Sequence, residues 1–121
     1  MRREEDDAGH RHVRLQGLIL EELRALLRDD VSDPALVGVR VTAVVLSVDY
    51  RHARVHFATL GSEAELSRAR ARCELALGRA TPFLRARLAE AIDLKRVPDL
   101  RFVFDGILTS GEAEGEGSSS G

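Results

Sequence analysis

The chain has 121 residues, 44% of them apolar, which suits one domain with one modest core and leaves too little chain for a deep enclosed site. Of its 20 acidic and 18 basic residues, seven acids and two arginines lie in residues 1–7 and 112–121, so residues 8–111 carry 16 basic and 13 acidic residues, a net of +3 hidden by the overall −2. One cysteine excludes an internal disulfide or a cysteine-based metal site, and no apolar run approaches the ~18 residues of a membrane span. The polar, acidic N-terminus does not read as a secretory signal, so the expectation is a cytoplasmic protein with no membrane partner.

Residues 1–9 read as a charged flexible tail. Val13, Leu15, Ile19, Leu20, Leu23, Leu26 and Leu27 recur at helical spacing, which predicts an amphipathic helix over residues 10–29. Asp33-Pro34 ends it, because proline disfavours helix in the residue before it. Val37, Val39 and Val41 alternate with Gly38, Arg40 and Thr42, and the run to Leu46 extends a first strand. Ser47-Val48-Asp49-Tyr50-Arg51 reads as a turn or strand end. Ala53, Val55 and Phe57 alternate with Arg54 and His56 in a second strand, antiparallel to the first.

Ser62 and Glu65 have the spacing of a capping box, opening a helix whose Leu66, Ala69, Cys73, Ala76, Leu77 and Ala80 share one face. Thr81-Pro82 has the pattern of a fresh start, threonine as N-cap and proline in the first turn. A third helix follows, with Leu84, Leu88, Ala91 and Ile92 apolar. After Pro98, Leu100, Phe102 and Phe104 alternate as a third strand. The composition of residues 112–121, Glu-Ala-Glu-Gly-Glu-Gly-Ser-Ser-Ser-Gly, offers nothing to bury and predicts a disordered acidic tail. Residues 10–111 thus form the domain, and three strands with helices needing cover predict an α+β fold of two layers.

Several pieces carry a resemblance: Arg11-x-x-Arg14, Asp33-Pro34, Val41-Thr42 with Ser47-Val48-Asp49, Phe83-Leu84-Arg85, and Val97-Pro98-Asp99-Leu100-Arg101-Phe102 with Asp105. Their order, helix-strand-strand-helix-helix-strand with a kink between the last two helices, resembles a type II KH domain. Within that fold the residues are similar to the ribosome-binding factor A family of bacterial small-subunit assembly factors. The resemblance implies a three-stranded sheet covered on one face by helices. It also implies a non-enzymatic RNA-binding factor for free or immature small (30S) ribosomal subunits. Such a factor assists late maturation of 16S rRNA, including its 5′ end, matters most in the cold, and has an assembly GTPase as a release partner. No cofactor is implied, and nothing requires more than a monomer. The family's Ala-x-Gly kink corresponds to Ala80-Thr81-Pro82, where proline replaces glycine. Most KH domains place a Gly-x-x-Gly loop at this point, and this sequence has none. The alternative is a diverged KH-like module that binds another RNA or a protein.

Arg68, Arg72 and Arg79 project within about 40° of one another on the second helix, a stripe of roughly 17 Å opposite its apolar face. The stripe fits a track for phosphates, and equally a solvated face balanced by neighbouring glutamates. Arg85 ranks first among the RNA-binding candidates, because it coincides with the family's motif one turn after the kink. Lys95 and Arg96 lie at the exit of the helical pair. Arg11 and Arg14 share the polar face of the first helix, bordered by Glu21 and Glu22, where surface charge competes as an explanation. Exposed aromatic surface for stacking bases is scarce, so recognition would rest on phosphates and RNA shape.

Enzyme chemistry finds little support. His52 and His56, four residues apart in a strand, are separated by roughly 13 Å and cannot share a metal ion. Ser47, Asp49 and His52 lack the strand-to-helix elbow of a serine hydrolase and fit turn chemistry better. Cys73 falls on the apolar face and reads as a small buried hydrophobe. No phosphate-binding loop or dinucleotide fingerprint occurs.

Overall fold

The computed structural model describes residues 2–108, with side chains from residue 9 onward; the acidic tail expected at 112–121 lies outside the described residues. Helix α1 spans Arg2–Asp29, so helical backbone begins well before the apolar periodicity does. Strands β1 (Val39–Leu46) and β2 (His52–Leu60) follow, then helix α2 (Leu66–Ala91) and strand β3 (Asp99–Leu108). Single 3₁₀ turns, Pro34–Leu36 and Glu63–Glu65, precede β1 and α2. The sheet order is β1-β2-β3, with β1 antiparallel and β3 parallel to β2. Both helices pack on one face, giving the two-layer type II KH-like arrangement.

Period-two burial makes the sheet two-sided. Val39, Val41, Val44, Leu46, Ala53, Val55 and Phe57 point into the core, where they meet Ile19, Leu23 and Leu26 of α1 and Cys73, Leu77, Leu84 and Leu88 of α2. Each large aliphatic side chain so buried contributes about 1.5–3 kcal/mol. Four expected apolar positions instead face outward: Val13 is 62% exposed, Val37 77% and Leu66 39%, and Ala91 is exposed as well. Cys73 is buried, and its Sγ lies 3.7 Å from the Ala35 carbonyl oxygen.

Two expectations about helix starts are corrected. The Ser62 side chain makes no capping bond, because the chain first forms the 3₁₀ turn Glu63–Glu65 and α2 begins only at Leu66. No new helix opens at Thr81-Pro82 either. Leu66–Ala91 is one helix with Pro82 inside it, so the element order contains two long helices rather than three. Thr81 caps nothing; its Oγ1 donates to the Leu77 carbonyl at 2.8 Å, the backward bond of a mid-helix threonine. Proline at 82 removes the N–H that would reach the Gly78 carbonyl, the usual origin of a helix kink. Burial of Leu77 before it and Leu84 after it on the same core holds the helix together across that gap.

Each outer strand carries a bulge. Val41 pairs with Phe57 and Ala43 with His56, leaving Thr42 as an extra residue in β1. Phe57 pairs with Phe104 and Ala58 with Gly106, leaving Asp105 extra in β3. The two extra residues meet above β2: Thr42 Oγ1 donates to Asp105 Oδ2 at 3.0 Å, and His56 Nδ1 lies 3.1 Å from Asp105 Oδ1. The His56 contact, followed by the Thr42 hydroxyl, holds the Asp105 carboxyl below its ordinary range, against an opposing effect of burial.

Candidate nucleic-acid interface

Three segments converge at one end of the sheet: the first half of α1, the β1–β2 turn, and the connection from α2 to β3. Side chains of α1 fix the first two together. His12 Nε2 donates to the Leu46 carbonyl at 2.8 Å, Gln16 Oε1 accepts from the Leu46 N–H at 2.9 Å, and the His12 ring leans on Tyr50 with centroids 5.4 Å apart. The turn itself is held by short polar contacts. Ser47 Oγ donates to Asp49 Oδ1 at 2.7 Å, and the same oxygen accepts from the Arg51 N–H at 3.0 Å. Those two donors, the serine hydroxyl first, hold the Asp49 carboxyl below its usual range. Tyr50 takes a positive φ of 65° to close the turn. Ser47, Asp49 and His52 therefore do turn work: the backbone N–H of His52 donates to Ser47 Oγ at 3.0 Å, while its ring Nδ1 is turned to Asp99, 3.9 Å away.

The third segment is anchored by Arg85. Its Nη2 donates to the Val97 carbonyl at 2.8 Å and its Nε to the Pro98 carbonyl at 3.2 Å, with Asp99 Oδ1 3.7 Å away. Pro98 is buried, and the Asp99 N–H donates to the Arg51 carbonyl at 2.8 Å, which ties this connection to the turn. Arg85 thus clamps this connection through Nε and Nη2, which commits part of its fork to the backbone.

Between these segments runs a groove of about 840 Å³. Its floor is apolar, formed by Leu15, Leu18, Leu46, Ile92, Leu94 and Pro98. Its rim carries five basic side chains, Arg11, Arg14, Arg51, Lys95 and Arg96, against two carboxylates, Asp49 and Asp93. All five are exposed, and none is among the ion pairs formed by the described residues. Asp49 is already engaged in the turn, which leaves the rim strongly cationic.

Of the candidates named from sequence, the structure brings Arg11, Arg14, Lys95 and Arg96 together on this groove. Arg68, Arg72 and Arg79 stand elsewhere. Arg68 is 23 residues before Ala91, about 34 Å along α2 from the end that meets the groove. Arg79 is drawn off the stripe by Asp33, whose Oδ2 accepts from its Nη2 at 2.9 Å. The Asp33 carboxyl lies low chiefly because Oδ1 accepts the Ala35 N–H, and secondarily because of Arg79. The kink residues Ala80, Thr81 and Pro82 lie mid-helix and line no part of the groove. Arg51 is the rim residue that sequence reading missed. Its signal was weak: one basic residue next to a turn, which becomes a rim only when α1 and the α2–β3 connection close around it.

A second cavity of about 770 Å³ lies along β1 and includes Arg24, Arg28 and Arg40. Its cations are spoken for. Arg24 Nε donates to the Val41 carbonyl at 3.0 Å, Arg40 Nη1 to the Val39 carbonyl at 3.1 Å, and Arg28 Nε pairs with Asp29 at 3.0 Å.

Comparison with known proteins decides the family. The sequence model of the ribosome-binding factor A family matches residues 11–114, a span that contains the whole groove. The chain belongs to the ribosome-binding factor A family. The family protein of Heliobacterium modesticaldum is 43% identical over 98 residues, covering 81% of this chain and 78% of its own length. That of Thiobacillus denitrificans is 38% identical over 100 residues, covering 83% and 77%. The crystal structure of ribosome-binding factor A from Thermus thermophilus superposes with a TM-score of 0.66 at 27% identity, covering 77% of this chain and 93% of that one. A homology model of the Thermus thermophilus factor, fitted into a cryo-EM map of a 30S complex, gives 0.50 at 30% identity, covering 78% and 90%.

Proposed function

We propose that this chain is a non-enzymatic assembly factor that binds free or immature small ribosomal subunits through RNA and assists late maturation of 16S rRNA, including its 5′ end. The observation that carries the reading is the convergence of Arg11, Arg14, Arg51, Lys95 and Arg96 on one groove within a member of this family. A homology model of a relative has been fitted into a 30S complex, which supports the small subunit as the partner. Arginine forks and a lysine around an apolar floor suit a phosphodiester backbone flanked by sugar and base surface. With one tyrosine at the rim, recognition rests on phosphate positions and RNA shape more than on stacked bases.

The mechanism needs no bond chemistry. Binding energy spent on one conformation of the RNA raises its population over competing ones. That help counts most in the cold, where misfolded helices escape slowly, and an assembly GTPase that favours the unbound state would supply release. The factor works in the cytoplasm; among the described residues no helix is long and apolar enough to cross a membrane.

The test is sedimentation of the full chain with purified small subunits at low and at high salt. Comigration at about 50 mM salt that is lost well above ~200 mM is expected, since each neutralised phosphate adds about 0.9 to the slope of log affinity against log salt. Lys95→Ala with Arg96→Ala should weaken comigration, so that it is lost at lower salt than for the parent, while the circular dichroism stays unchanged. A chain that remains at the top of the gradient even at low salt would overturn the reading and point to a protein partner.

A further inference from the structure

The helices cover one face of the sheet; the other lies open, and its charges are arranged in rows. His52 of β2 stands beside Asp99 of β3, Arg54 beside Arg101, and His56 beside Val103. Of the two carboxylates of this face among the described residues, Asp105 is hydrogen-bonded and the exposed Asp99 is approached more loosely. Asp99 Oδ2 lies 3.9 Å from His52 Nδ1 and its Oδ1 3.7 Å from Arg85, while Asp105 is held between His56 and Thr42. The middle row therefore places two guanidinium groups on directly adjacent strands with no acidic partner among the described residues. On the β1 side the row ends in Val45. Like charges directly opposite each other in a sheet oppose folding, and nothing among the described residues offsets this pair.

We propose that the Arg54–Arg101 pair binds the phosphate backbone of RNA, as a continuation of the groove around the end of the sheet. The inference rests on the RNA-binding reading above and adds a surface to it. Adjacent strands lie about 4.8 Å apart, so two planar forks flank a space that one phosphate group can fill, accepting hydrogen bonds from both. Continuity with the groove selects the occupant. Arg51 of the rim is three residues before Arg54, roughly 10 Å along the strand, and its carbonyl accepts the N–H of Asp99, at the start of the strand bearing Arg101. Cations thus run from Lys95 and Arg96 past Arg51 to Arg54 and Arg101, and outnumber the carboxylates Asp93 and Asp99 beside them. A polyanionic strand leaving the groove meets this pair next. The flanking surface, Val45, Val103 and Ala43 with the imidazoles of His52 and His56, offers no Phe, Tyr or Trp ring, so the contact rests on the backbone more than on stacked bases.

The experiment measures affinity of the full chain for a labelled mixed-sequence 16-nucleotide single-stranded RNA and for purified small subunits, across a salt series. Arg54→Gln with Arg101→Gln is expected to lower the slope of log affinity against log salt by about 0.7 for the single strand, the contribution of the one phosphate the pair holds. Arg54→Lys with Arg101→Lys should retain most of it. Thermal stability of the glutamine variant should equal or exceed that of the parent, because a repulsive pair is gone. An unchanged slope in the glutamine variant, alongside a reduced slope in Lys95→Ala with Arg96→Ala, overturns this inference and leaves the groove reading intact. Failure of the parent chain to bind either RNA or subunits overturns both. Displacement of the RNA by a polyglutamate peptide of equal charge, at equal concentration, overturns the assignment to RNA.

Discussion

Arg85 separates the sequence reading from the structural one, and its replacement by methionine shows how. Methionine keeps a flexible apolar stem and removes every donor. Two hydrogen bonds vanish, to the Val97 carbonyl at 2.8 Å and the Pro98 carbonyl at 3.2 Å, along with a loose approach to Asp99 at 3.7 Å. Hydrogen bonds from charged donors contribute about 1.5–3 kcal/mol when dry. The Arg85 side chain is 39% exposed, so water can reach the abandoned carbonyls and the contact to Asp99 is screened. The whole clamp therefore contributes about 1–2 kcal/mol. In a domain of this size its loss lowers Tm by roughly 5–15 °C. Arg85→Lys keeps the charge but reaches only one carbonyl, and should lose about half as much. Thermal unfolding followed by far-ultraviolet circular dichroism measures both, and RNA affinity at fixed salt is measured in parallel well below Tm. A Tm within about 2 °C of the parent, together with weakened RNA binding in Arg85→Met and restored binding in Arg85→Lys, would refute the clamp and return Arg85 to the list of direct phosphate ligands.

Pro82→Ala restores an N–H aimed at the Gly78 carbonyl. If α2 is one helix, Tm should rise, by an amount corresponding to part of the ~3 kcal/mol that separates proline from alanine in a helix interior, whereas two separate helices predict no change or a loss. Gly106 holds a φ of +126° with open space where a Cβ would stand. Gly106→Ala should therefore cost about 1–3 kcal/mol of backbone strain alone, visible as a lower urea midpoint with an unchanged m-value. Asp105 is held at a lowered pKa by His56 and then Thr42, so its contribution to stability is present above the ordinary carboxylate value of about 3.9 and fades as pH falls through its lowered one. Thr42→Val should move the onset of acid unfolding to higher pH, and an onset unmoved by that change would deny the Thr42–Asp105 contact a role.

What the sequence determined by itself was what depends on neighbours along the chain. Alternation of Val39, Val41, Val55 and Phe57 with polar residues marked two strands and their core face, because side chains on a strand point to opposite sides at every step. The spacing of Ile19, Leu23 and Leu26, of Cys73 and Leu77, and of Leu84 and Leu88 marked three helical faces for the same reason at a period of about 3.6, the last two of which the structure joins in one helix. Motif order supplied the family. Local rules misjudged Thr81-Pro82, since a good N-cap pair yields when both flanking stretches are buried against the same sheet.

Only the tertiary structure decided the rest. Arg11, Arg51 and Arg96 are far apart in the chain and share a groove because α1 is hydrogen-bonded to the end of β1 and Arg85 clamps the α2–β3 connection. A stripe computed around α2 could not anticipate that Asp33, brought near by the 3₁₀ turn, would take Arg79. The pairing of Arg54 with Arg101 likewise exists only through the parallel register of β2 and β3, which the crossover through α2 sets. Charge is written in the sequence, but whether a cation is free or spoken for depends on which distant group the fold places within a few ångströms of it.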